Sequence, residues 1–148
     1  MEEHCAAAFI FDTGLTPPAA GAALAALDVL TAEPELPGRA RSRARAISAM
    51  AAELGLETTE PAAAVVPVFL GEPQAAVRAA EICAEYGARV GCFRPPSVPK
   101  GRACLRITAR ASITDIELAV LSEALAVVAA ETDHVTSGPT AGEHKEGT

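Results

Sequence analysis

Apolar residues along this chain follow two rhythms. Ile47, Met50, Ala51 and Leu54 recur at i, i+3, i+4 and i+7, which predicts a helix from about Pro37 to Leu54 with one buried face. In ACLRITARA, Leu105, Ile107 and Ala109 alternate with Arg106, Thr108 and Arg110, the pattern of a strand with one face on a core. AAAVVPVFLGEP is a mostly apolar run that predicts another strand. Its Pro67 points to an edge or a bulge, because proline has no N–H to give to a ladder. PQAAVRAAEICAEYG places Ala79, Ile82, Cys83 and Tyr86 on one helical face, with Gly87 set to end the helix. ARVGCF predicts a short strand. The last helix opens at TDIE, the capping-box spacing of Thr114 and Glu117, and carries a stripe of Leu118, Leu121, Leu125 and Val128.

Upstream, AFIFDTG predicts a strand that ends at Asp12, Thr13 and Gly14. A helix rich in Ala and Leu follows, with Thr16 as N-cap and Pro17 as its first residue, until EPELPG interrupts it. From about Thr132 onward the chain is polar and aperiodic, which predicts a disordered tail. The order is β-α-α-β-α-β-β-α with no internal repeat. The three later strands can form a small α+β layer with their helices. The first strand has no evident neighbour, so Phe9, Ile10 and Phe11 are expected to need a covering partner.

Length and composition narrow the function. The 148 residues suit one domain with a tail, and with 3% aromatics and no Trp the core must be aliphatic. A net charge of -7 argues against general affinity for nucleic acid or anionic membrane. The most apolar stretch, IELAVLSEALAVVAA, is broken by Glu117 and Glu123 and is too short to span a bilayer. The four cysteines show no CxxC or metal-ligand spacing, and the acidic start MEEHCAAAF does not read as a secretory leader. A cytoplasmic chain with reduced thiols is therefore expected.

Positive charge is local. Arg39, Arg41, Arg43 and Arg45 read as a solvated helix face rather than a phosphate site. Arg94, Lys100, Arg102, Arg106 and Arg110 form a second cluster around RPPSVPKGR. Arg106, mid-strand, is either a planar fork for a carboxylate or one member of a wetted strand face. The proline-rich connection is either a rigid turn or a loop that holds Arg94 and Ser97 at a binding site. His4, His134 and His144 have no acid or cysteine partner at useful spacing and receive no role.

FIFDTGLTPP, VVPVFLGEP and above all GCFRPPSVPKGRACLRITARAS carry a resemblance that runs from about Ala8 to Val128. The chain resembles the C-terminal part of the 8-amino-7-oxononanoate synthases. These are class II aminotransferase-like members of the α-oxoamine synthase family, which use pyridoxal phosphate. The resemblance implies the small C-terminal α+β domain of a fold-type I transferase. It has a sheet of about three to four strands packed by helices, preceded by a strand and connecting helix of the large domain. The expected division is residues 1–33 as large-domain remnant, 34–131 as small domain and 132–148 as tail.

The implied chemistry is the decarboxylative condensation of L-alanine with a pimeloyl thioester in biotin synthesis, in a homodimer. By position, Arg106 matches the arginine that binds the amino-acid carboxylate. Ser97 matches the Thr/Ser of the proline loop that contacts substrate, Arg94 belongs to the same loop, and Thr13 matches a residue that reaches the cofactor phosphate of the partner subunit in the family dimer. No catalytic residue is assigned. Cys104 stands where the family reads arginine, and Ser112 replaces a common histidine. The family's Schiff-base lysine lies upstream of the FIFDT strand, whereas the lysines here are Lys100 and Lys145. The chain is thus expected to begin inside the large domain and to be inactive alone. The rival expectation is a non-catalytic small domain that binds a carboxylate or docks on a full-length synthase.

Overall fold

Strand alternation in the ACLRIT segment organises everything around it. In the computed structural model, which describes residues 16–136 and side chains as far as 132, β4 (Ala103–Thr108) buries Leu105 and Ile107 and turns Arg106 and Thr108 outward. It is flanked by β2 (Val65–Gly71) and β3 (Gly91–Phe93), and a two-residue β1 (Glu57–Thr58) adds to β2. The sheet is antiparallel with order β1-β2-β4-β3. Val66 lies opposite Ile107 and Val68 opposite Leu105, so the apolar positions of neighbouring strands share one face.

The chain divides into two units, Met1–Leu36 and Pro37–Thr148. Among the described residues of the first is helix α1 (Pro17–Ala32), with Thr16 at its N-cap and Pro17 at N1 as the sequence predicts. Thr16 makes no side-chain cap bond; its carbonyl accepts the Ala20 N–H at 3.0 Å. Leu24, Leu27, Val29 and Leu30 of this helix are exposed. The predicted strand at residues 8–14, with Thr13, lies outside the described residues.

In the second unit, α2 (Leu36–Glu53), α3 (Pro73–Glu85) and α4 (Asp115–Thr136) contribute their apolar faces to one core. Ile47 and Ala51 of α2, Ala79, Ile82 and Cys83 of α3, and Leu121, Leu125 and Val128 of α4 join Val66, Val68, Leu105 and Ile107 there. Ser48 is buried among them and donates its hydroxyl to the Thr59 carbonyl at 3.1 Å, so its polarity is satisfied. Tyr86, expected on the buried face of α3, is 41% exposed. It occupies the C-cap, the last position before the turn at Gly87.

Two helices end by the same device. Gly87 has φ +85°, its N–H reaches the Ala84 carbonyl, and the Ala88 N–H reaches the Cys83 carbonyl at 2.8 Å. Gly55 (φ +79°) and Leu56 repeat this on Ala52 and Ala51. This left-handed cap closes the last carbonyls and is open to glycine at no steric cost.

Two expectations change in detail. Pro67 does lie where β2 runs past its short partner β1, but the register shift falls at Phe69/Gly71 rather than at the proline. The last helix continues to Thr136, beyond the Thr132 at which polarity alone ends it; residues 137–148 lie outside the described ones.

The capping box at the start of α4 is formed in full. Thr114 donates its backbone N–H to Glu117 Oε2 at 2.8 Å, and Glu117 donates its N–H to Thr114 Oγ1 at 3.2 Å. The Thr114 N–H and hydroxyl, helped by Arg110, hold the Glu117 carboxyl below its ordinary range. A depressed carboxyl contributes stability above its unfolded pKa and loses it as pH falls through the folded one. Glu117→Gln is therefore expected to flatten the acid limb of a plot of melting temperature against pH. An unchanged acid limb in that variant would show that the cap is not coupled to folding.

Candidate functional site: the open face of the sheet

With three helices gathered on the core face, the residues that alternate away from it form the other face of the sheet. Cross-strand register arranges them in rows. Glu57, Phe69, Cys104 and Phe93 make one row across all four strands, and Pro67, Arg106 and Gly91 make the next. Val65 and Thr108 follow.

Arg106 is distinctive for its neighbours. Directly opposite it stand a proline on one side and a glycine on the other, neither of which offers a side-chain acceptor. The exposed guanidinium has no carboxylate partner among the described residues, and its one ring contact is Phe93, whose centroid is 5.6 Å from Cζ. Several other arginines are committed. Arg43 pairs with Asp115 at 2.7 Å, Arg45 with Glu60 at 3.3 Å and Arg110 with Glu117 at 3.1 Å. Arg78 sits among Glu81, Glu85 and Glu131. Arg43 and Arg45 of the α2 row thus serve surface pairing, where each contact is worth little.

Arg102, at the exit of the proline loop, has a role the sequence pattern did not reveal. Its guanidinium lies 3.6 Å from the Phe69 ring centroid and pairs with Glu57 at 2.7 Å. This fastens the loop's end to β1 and β2. No signal in the sequence joins Arg102 to Phe69 or Glu57, because pairing them requires the register.

The loop itself leaves β3 at Phe93. The Ser97 N–H donates to the Arg94 carbonyl at 3.0 Å and the Arg102 N–H to the Pro99 carbonyl at 3.1 Å, so two tight turns shape it. Ser97 is exposed, and its hydroxyl has no hydrogen-bond partner among the described residues. Arg94 borders a shallow depression with Pro73, Val77 and Glu81 of α3. The structure thus brings the loop's root to Arg106 through Phe93, while the Arg94 side chain lies along α3. Beyond that backbone bond between Ser97 and Arg94, no hydrogen bond or ion pair joins Arg94, Ser97 and Arg106.

Cys104 lies between Phe69 and Phe93 and is only 6% exposed. Burial pushes its thiol pKa up, and burial does the same for Cys83, so both are inert packing groups. No cluster of metal-ligating side chains occurs among the described residues, and no described helix is long and apolar enough to cross a membrane.

What this face can do chemically is receive an anion edge-on at a planar fork, beside an exposed hydroxyl-bearing loop. The aminotransferase class I and II family matches residues 3–125. The chain is 53% identical over 128 residues to 8-amino-7-oxononanoate synthase of Mycolicibacterium smegmatis, covering 84% of this chain and 32% of that protein. It is 54% identical over 123 residues to the synthase of Mycobacterium sp. strain JLS, covering 81% and 30%. The chain therefore spans about a third of the length of the curated relatives it matches.

Among solved structures, 8-amino-7-oxononanoate synthase from Francisella tularensis aligns with TM-score 0.69 at 22% identity, covering 90% of this chain and 38% of that one. Serine palmitoyltransferase from S. paucimobilis aligns with TM-score 0.73 at 24% identity, covering 84% and 32%. These two likenesses carry the fold.

Proposed function

The chain belongs to the class I and II aminotransferase family, and from that premise we propose that it forms the carboxylate-binding wall of an 8-amino-7-oxononanoate synthase. The observation that carries this reading is Arg106, held mid-strand between Pro67 and Gly91 with no acidic partner among the described residues. Its fork suits the carboxylate of L-alanine, in two parallel charge-assisted hydrogen bonds. Ser97 offers a hydroxyl from the proline loop to the same substrate. Arg94 contributes through its carbonyl, which shapes the turn that presents Ser97. Thr13, outside the described residues, is assigned to the cofactor phosphate.

Pyridoxal phosphate would supply the electron sink for condensing L-alanine with a pimeloyl thioester. The described residues do not build a site for it. A lysine that bonds to this cofactor needs a desolvated pocket that keeps its amine nucleophilic. Of the two lysines, Lys100 is exposed in the proline loop and Lys145 lies outside the described residues. We therefore assign the reactive lysine to a large domain, on a longer chain or a partner, and expect this chain to be inactive alone. Homodimer formation and a cytoplasmic location belong to the same reading.

Incubation with stoichiometric pyridoxal phosphate, borohydride reduction and peptide mass spectrometry test it. The expected result is no selective labelling of either lysine. Stoichiometric labelling of Lys100 alone would overturn the assignment.

A further inference from the structure

Resting on the reading of Arg106 as a carboxylate receptor, we propose that Phe93 is its positioning residue, seated in a slot that Gly91 leaves open. Gly91 lies directly across from Arg106, and Phe93 follows two positions later on the same face of β3. A Cβ built on Gly91 would stand 3.1 Å from Phe93 Cε2 and 3.5 Å from Arg106 Cβ. The ring therefore leans back along its own strand into the space beside the arginine.

The reason for glycine here is that space. Gly55, Gly71, Gly87 and Gly101 have positive φ, a conformation that favours glycine, but Gly91 does not. Backbone geometry would accept alanine; the ring would have to give way by a few tenths of an ångström.

The contact is graded to its task. At 5.6 Å the ring face lies within cation–π reach of Arg106 yet leaves the N–H edges free. Arg102 shows the alternative, a guanidinium 3.6 Å from the Phe69 ring and paired with Glu57. Arg102 is tied down, whereas Arg106 is steered and left available. Steering matters because a long side chain ordered before its ligand arrives loses less rotamer freedom on binding.

The test is NMR of the full chain with labelled arginine side chains, with acetate as the carboxylate probe. Without acetate, Phe93→Leu and Gly91→Ala are each expected to lower the heteronuclear NOE of the Arg106 Nε–H, while Phe93→Tyr preserves it. The Arg102 Nε–H should stay unchanged in all three and so reports an intact sheet. With acetate, Phe93→Leu should raise the half-saturation concentration at Arg106 about two- to fivefold, the worth of one exposed cation–π contact.

An Arg106 NOE unmoved by both Phe93→Leu and Gly91→Ala overturns the proposal. So does a parallel fall at Arg102, which would mean general loosening. If Phe93→Leu does not fold, Gly91→Ala and Phe93→Tyr decide the question in the same way. If ligand-free order responds as expected but acetate never shifts Arg106, positioning stands and the carboxylate-binding function fails.

Discussion

Replacing Arg106 by alanine is expected to abolish carboxylate binding on the sheet face while leaving the fold in place. The guanidinium is exposed and holds no ion pair among the described residues, so its removal leaves no partner stranded. A surface change of this kind alters stability by about 0.5 kcal/mol or less. Binding is a different matter. Hydrogen bonds to charged groups are worth about 1.5–3 kcal/mol, or roughly a ten- to 150-fold loss in affinity. Arg106→Lys should recover only a small part, because an ammonium is a point charge and cannot form two parallel bonds. L-alanine titration followed by NMR, with urea denaturation of the same samples, separates the two quantities. Loss of folding together with binding in Arg106→Ala would make the residue structural, and full recovery in Arg106→Lys would remove the bidentate argument.

The second large effect is expected one residue away. Leu105 is 0% exposed and sits at the centre of the core face, with Val68 opposite on β2 and Cys92 opposite on β3. Truncation to alanine removes buried methyl groups and leaves a cavity that neighbours on two strands and the helices cannot close. Such changes cost about 2–5 kcal/mol, against a total of about 5–15 kcal/mol for an ordinary domain. Leu105→Ala should therefore show a strongly lowered urea midpoint, with Arg106 losing its ligand because the strand itself is lost. Ile116→Ala is the control: at 79% exposed it should move the midpoint little. Equal effects of the two would mean that the sheet is not the stabilising layer. Adjacent residues on one strand are thus predicted to fail in opposite ways, one in binding and one in folding.

Much of the local structure was legible because it rests on short-range rules. The capping box at Thr114 and Glu117, the stop at Gly87 and the in–out alternation of Leu105, Arg106 and Ile107 each depend on residues within a few positions of one another. β1 was not legible. Two polar residues, Glu57 and Thr58, have no periodicity to read, and they form a strand only because Phe69 and Val68 lie opposite them. The Arg102 clamp was hidden for the same reason, since Glu57 is distant from it in sequence. Helix α4 outran its prediction because composition turns polar near Thr132, whereas the hydrogen bonds of an established helix continue through polar residues.

By itself the sequence determined which residues alternate, where helices start and stop, and which family the proline loop and its strand resemble. Those properties follow from side-chain chemistry and spacing along one chain. Only the tertiary structure decided that Arg106 stands between a proline and a glycine, that Arg102 is fastened to Phe69 and Glu57, and that Phe93 leans into the gap over Gly91. The physical reason is register: cross-strand neighbours are chosen by the pairing of distant segments. Whether a guanidinium is occupied or available depends on those neighbours.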